Sequence, residues 1–145
     1  YILDPGQSLP MWDKNDLIQA IEGCRILIVN DYELSLIMSK TGLNKNALLK
    51  MAGTVITTLG ELGSQVSTLT SDIAIPPVKL KKVVDPTGAG DAYRGGLLSG
   101  LVQGKDIVTS AKMGSVSASY AVETYGTQEY SYTSEEYHQR LNDLL

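Results

Sequence analysis

The sequence has 145 residues, 43% of them hydrophobic, enough for a domain with a real core and too apolar for a disordered chain. Its 12 basic and 16 acidic residues give a net charge of −4 without a basic stripe, which argues against nucleic-acid binding through phosphates. No apolar run reaches the roughly 20 residues of a membrane span, and the single cysteine, Cys24, excludes an internal disulfide framework and a cysteine-based zinc cluster. A soluble cytoplasmic protein, with neither nucleic acid nor membrane as partner, is the expectation.

Tyr1-Ile2-Leu3 reads as a strand that starts without Met or a cap, so a fragment of a longer chain is expected. Residues 4–10 form a turn. Leu17, Ile18 and Ile21 then have helical spacing, with Asp13 as the cap. Arg25-Ile26-Leu27-Ile28-Val29 is a short β-branched run of the kind buried on both faces of a parallel sheet. It ends at Asn30, and helices are predicted over 32–39 and 45–52. Thr54-Val55-Ile56-Thr57-Thr58 is the next strand, and residues 59–63 close it. Strands are predicted over 65–69 and 72–75, the second stopped by Pro76-Pro77. Residues 79–84 lead into a glycine-rich turn, and helices follow over 90–103, 106–123 and 134–144. Alternating strands and helices argue for an α/β fold with a largely parallel sheet, whose ligands sit beyond the C-terminal strand ends. Asn30, Thr58 and residues 88–91 all fall at or near such ends.

Asp85-Pro86-Thr87-Gly88-Ala89-Gly90-Asp91 carries the most information. A glycine-rich turn aims backbone N–H groups into one space, and a helix start adds unpaired N–H groups and the positive end of its dipole. Together they suit an anion, most often a phosphate. Asp91 would repel that phosphate at rest, unless it takes a proton while negative charge builds beside it. The plain alternative is a flexible turn, with Asp91 favoured by the helix dipole. Asn30-Asp31-Tyr32-Glu33 has the spacing of a capping box. Thr58-Leu59-Gly60-Glu61-Leu62-Gly63 reads as a tight turn between strands, and no G-x-x-x-x-G-K-[ST] loop occurs. Gly95, Gly96 and Gly100 interrupt the following helix; Ala92, Gly96, Ser99 and Gly100 share a slim face, read first as close packing and second as room for an adenine. Arg94 reads first as a solvated surface residue, with approach to a phosphate or a pair with a neighbouring acid as the alternatives.

Extended through Ala92-Tyr93-Arg94, the glycine motif strongly resembles the C-terminal signature of the ribokinase-like (PfkB) carbohydrate and nucleoside kinases. The likeness runs from Asp4-Pro5 to the last helix, with the flavour of bacterial adenosine kinase-like or sugar kinases. It implies a three-layer α/β/α fold with a largely parallel sheet, incomplete because the N-terminal half and the β-sheet lid are missing. Residues 1–145 would form a single C-terminal ATP-binding and catalytic portion. The implied reaction moves the γ-phosphate of MgATP to a sugar or nucleoside hydroxyl. Asp91 would be the general base, and Gly88, Ala89 and Gly90 the anion hole. Asn30 and Glu33 match an N-x-x-E motif that organises Mg²⁺, its waters and the phosphates, with Glu33 acting through water; this reading stands beside the capping box. Thr58 and Gly60 match a loop that lies against the nucleotide, and Gly63 shapes its turn. Asp85 and Thr87, with carbonyls near Ala121, Thr124 and Gly126, match a site for a monovalent cation, K⁺. The implied partners are the small-molecule acceptor and a second copy of the chain in a homodimer. The competing reading is a nucleotide-binding remnant without turnover.

Overall fold

A computed structural model describes residues 1–145 as two compact units, one formed by Tyr1–Gly60 and Ser64–Ala74, the other by Glu61–Gly63 and Ile75–Leu145. The sheet has five strands in the order β1 (Ile2–Leu3), β2 (Ile26–Asn30), β3 (Thr54–Thr58), β4 (Ser64–Ser67) and β5 (Asp72–Ile75). β1, β2 and β3 run parallel, with Ile2 opposite Ile26 and Ile26 opposite Thr54. β4 returns antiparallel to β3, with Thr58 opposite Ser64. The sheet is therefore mixed and mostly parallel, in an α/β arrangement.

In the first unit, the β-branched runs of β2 and β3 are buried on both faces, as a parallel sheet requires. Helices α1 (Lys14–Gly23), α2 (Asp31–Thr41) and α3 (Lys45–Ala52) supply Leu17, Ile21, Ile37, Leu48 and Leu49 to a core with Leu27, Val29 and Val55. Each starts on a side-chain cap, Asp13, Asn30 and Asn44 respectively. α2 runs to Thr41, beyond the expected 32–39, because Gly42 at φ +74° is the first residue to leave the helix. Residues Gly6–Met11 form a 3-10 helix where a turn is expected. β4 stops at Ser67 rather than 69: the Thr68 Oγ1 accepts the amides of Thr70 and Ser71 at 3.3 and 3.1 Å, which bends the chain out of the ladder.

The second unit is built on α4 (Ala89–Val102), α5 (Ile107–Val122) and α6 (Ser134–Asn142). The slim face of α4 packs backbone to backbone on α5. A Cβ at Gly96 would overlap the Met113 carbonyl, and one at Gly100 would lie 2.7 Å from the Ser110 hydroxyl. α5 reciprocates, since a Cβ at Gly114 would lie 2.8 Å from the Tyr93 carbonyl. Of the two readings of this face, close packing is the one seen at Gly96 and Gly100. Gly95 has open space around it. Met113, Val116, Tyr120 and Leu141 form the core between α5 and α6.

The two neighbouring glycines should therefore respond oppositely to one methyl group. Gly96→Ala is expected to cost about 1–3 kcal/mol by overpacking, while Gly95→Ala is expected to gain up to about 1 kcal/mol in helix propensity. Urea unfolding midpoints of the two variants check the pair.

Candidate active site

In the first unit, the ends of β2 and β3 place two of the motifs side by side. Asn30 is the register partner of Thr58, the last residue of β3. Asn30 and Glu33 form a complete capping box: the Glu33 amide donates to Asn30 Oδ1 at 2.7 Å, and the Asn30 amide donates to Glu33 Oε2 at 2.8 Å. The box fixes the glutamate at the strand end and leaves its second carboxylate oxygen without a partner in the chain. Thr58 is half-buried, its hydroxyl 3.5 Å from the Val29 carbonyl. Gly60 opens a short 3-10 turn at φ +59°, and a Cβ built on it would meet nothing within 4 Å. No group of three or more His, Cys, Asp or Glu side chains could cage a metal ion. One fixed, partly free carboxylate fits Mg²⁺ held through water and substrate phosphates, the way this ion retains most of its hydration.

Gly63 belongs to the second unit. Its φ is +88°, and a Cβ there would overlap the Ile75 carbonyl, so its role is to shape the turn.

The remaining site residues also lie in the second unit. Gly88 caps α4 in the left-handed region at φ +82°, with no side-chain hydrogen bond to the first turn. The other five α-helices all start on a capping side chain, Asp106 and Thr133 serving α5 and α6. Within the α4 turn, the Ala89 amide reaches the Pro86 carbonyl at 3.2 Å and the Ala92 amide reaches Gly88 at 2.9 Å. The Gly90 and Asp91 amides between them have no acceptor in the chain. Asp91 is the third residue of the helix, its side chain 86% exposed. Of the readings of Arg94, the pair with a neighbouring acid is the one seen: its Nη1 donates to Asp91 Oδ1 at 2.5 Å, and burial pulls its guanidinium below the ordinary value. The i,i+3 spacing of an acid and a base on one helix permits the pair.

Asp85 ties the turn in place. Its Oδ1 accepts the Thr87 amide at 2.9 Å and its Oδ2 accepts the Gly126 amide at 3.3 Å. The amides of Val84 and Asp85 share the Val122 carbonyl at 2.9 and 3.2 Å. Next to it, Glu123 Oε1 accepts the Lys81 amide at 2.6 Å while Oε2 pairs with Arg140 at 2.6 Å. Arg140 also stacks 3.8 Å above the Tyr120 ring. This clamp on residues 81–85 was not visible in the motif. Of the groups expected to hold a monovalent cation, Asp85 uses both oxygens on backbone amides and the Ala121 carbonyl accepts the Thr124 amide at 3.1 Å. Cys24 is buried, which pushes its thiol up and leaves it inert.

A helix start left uncapped behind a glycine turn offers free amides of the kind that suit an anion. The chain belongs to the pfkB family of carbohydrate kinases, the family pattern matching residues 2–134. It is 38% identical over 125 residues to a nucleoside kinase of Methanocaldococcus jannaschii, a match covering 86% of this chain and 41% of the relative. The nucleoside kinase of Burkholderia thailandensis, solved in complex with inosine, superposes with a TM-score of 0.95 at 36% identity, covering 99% of this chain and 48% of that one. The solved M. jannaschii nucleoside kinase, described as an archaeal member of the ribokinase family, gives a TM-score of 0.93 at 36% identity over 98% of this chain and 48% of its own. The fold is thus ribokinase-like, and the chain spans less than half the length of these relatives.

The Asp85 tie should be visible in acid. The Thr87 hydroxyl and amide and the Gly126 amide hold its carboxyl below the usual carboxylate range. Its stabilising contribution is present above the unfolded value of about 4 and is lost as pH falls through the lower folded value. Asp85→Asn is expected to be less stable than the parent at pH 7, with the deficit shrinking towards pH 2. Thermal melts across that range check it, and a constant deficit would contradict it.

Proposed function

We propose that this chain is the ATP-binding and catalytic portion of a nucleoside kinase, which moves the γ-phosphoryl group of MgATP to a hydroxyl of its acceptor. The observation that carries the reading is the start of α4, the one α-helix without a side-chain cap, with Asp91 in its first turn. Phosphoryl transfer asks a protein for positioning and charge stabilisation more than for covalent help. Asp91 accepts the proton of the acceptor hydroxyl, and that oxygen attacks the phosphorus. The amides of Gly88 and Gly90 stabilise the charge on the transferring group as it builds, while that of Ala89 closes the turn on the Pro86 carbonyl. Thr58 and Gly60 lie against the nucleotide. Asn30 and Glu33 hold water around Mg²⁺, which when bound neutralises charge on the phosphates. A nucleoside acceptor is favoured over a sugar by the names of the relatives that match most of this chain. Such an enzyme draws its ATP from the cytoplasm. Asp85 and Thr87 act as the tie of the turn, and the chemistry proposed needs no K⁺.

A second reading is a nucleotide-binding module without turnover. Both readings keep the nucleotide residues and differ at Asp91.

Two variants of the full-length protein test the assignment together. Asp91→Asn is expected to lower kcat by about 10²–10⁴-fold, the usual worth of a general base, with ATP binding by calorimetry little changed. Glu33→Gln preserves a capping box, which accepts Gln, so it should melt like the parent yet need more Mg²⁺ for half-maximal rate. Parent-like turnover in Asp91→Asn would refute the base assignment.

A further inference from the structure

The Asp91–Arg94 pair is poorly explained as surface chemistry. An exposed i,i+3 ion pair adds little to helix stability. A cation in the second turn of a helix is also disfavoured by the positive end of the dipole. Yet the Arg94 side chain is drawn in to 34% exposure while its partner remains at 86%. Nη1 lies 2.5 Å from Asp91 Oδ1, and a Cβ built on Gly90 would stand 3.5 Å from the same nitrogen. The guanidinium thus lies along the first turn, beside the glycine whose amide is unpaired. Left alone, a carboxylate this exposed would sample several staggered rotamers. The fork of an arginine restrains it through a directional, charge-assisted bond.

We infer that Arg94 is a positioning residue of the phosphoryl-transfer site: from the second turn of α4 it holds the Asp91 carboxylate in one orientation over the uncapped helix start, so that the base is set before the acceptor arrives. The inference rests on Asp91 being the base. It asks nothing of Arg94 in nucleotide binding, and it leaves Oδ2 of Asp91 for the incoming hydroxyl. The gain is one of orientation, of the kind in which a misplacement of about 1 Å costs on the order of a hundredfold in rate.

The test is a double-mutant cycle in the full-length kinase, with kcat, both KM values and the melting temperature measured for Arg94→Met, Arg94→Lys, Asp91→Asn and Asp91→Asn/Arg94→Met. The expected result is a kcat about 10–100-fold lower in Arg94→Met, with KM for ATP and acceptor within about twofold and the melting temperature near the parent's. Arg94→Lys, which keeps a charged donor, should recover part of the loss. In the Asp91→Asn background, Arg94→Met should cost nothing more, because the residue acts through the carboxylate. Parent-like kcat in Arg94→Met, or losses that multiply in the double variant, would overturn the inference while leaving Asp91 as base. Parent-like kcat in Asp91→Asn would overturn the base assignment and this inference with it.

Discussion

Gly88 adopts a left-handed backbone, and a Cβ placed on it would press on the backbone of Thr127 at 3.1 Å. No other residue type suits both conditions. The consequence reaches past the turn. A residue in that place cannot cap the helix it starts, so α4 keeps unpaired amides that every other α-helix of the chain gives to a side chain. Asp85 supports the same junction from the other side by holding the amides of Thr87 and Gly126. Beneath it, the Val122 carbonyl and the Glu123–Arg140 pair grip residues 81–85. The side chains of that pair are only 11% and 13% exposed, so the charge is shielded from water and the clamp is firm. The segment therefore gains from side chains and carbonyls of α5 and α6 the order that no sheet ladder supplies over 76–88.

The small residues of α4 and α5 serve this rigidity. Gly96, Gly100 and Gly114 each cost helix propensity, and each lets one backbone approach the other where a methyl group would not fit. Helices packed this closely resist rotation about their own axes, so the start of α4 keeps its direction. Asp91, Arg94 and the free amides ride on that start. The electrostatic arrangement is thus set by packing, before any ligand contributes.

Much of this was legible in the residues. The β-branched runs of β2 and β3, the caps at Asp13 and Asn30 and the glycine motif all declare themselves locally, because strand burial, capping and turn conformation depend on a few neighbours. The hydrophobic pattern overstates the length of β4, because Thr68 competes for backbone amides through its hydroxyl, an interaction that such a pattern does not carry. The Glu123–Arg140–Lys81 clamp was invisible for a different reason. Its members are separated by 17 and 42 residues, and nothing in their types announces the meeting. Arg94 lies between these cases. Its spacing from Asp91 permits a pair, yet only the structure shows the side chain drawn in along the first turn.

In the proposed reaction, the amides at the start of α4 receive the phosphoryl group in transfer. Nitrogen NMR of the full-length protein, selectively labelled at glycine, follows the amides of Gly88 and Gly90 directly. MgADP with aluminium fluoride and a nucleoside mimics the transferring group; MgADP alone does not. Large downfield shifts of these amide protons are expected with the fluoride complex and small ones with MgADP. Amides that respond equally to both would contradict this role.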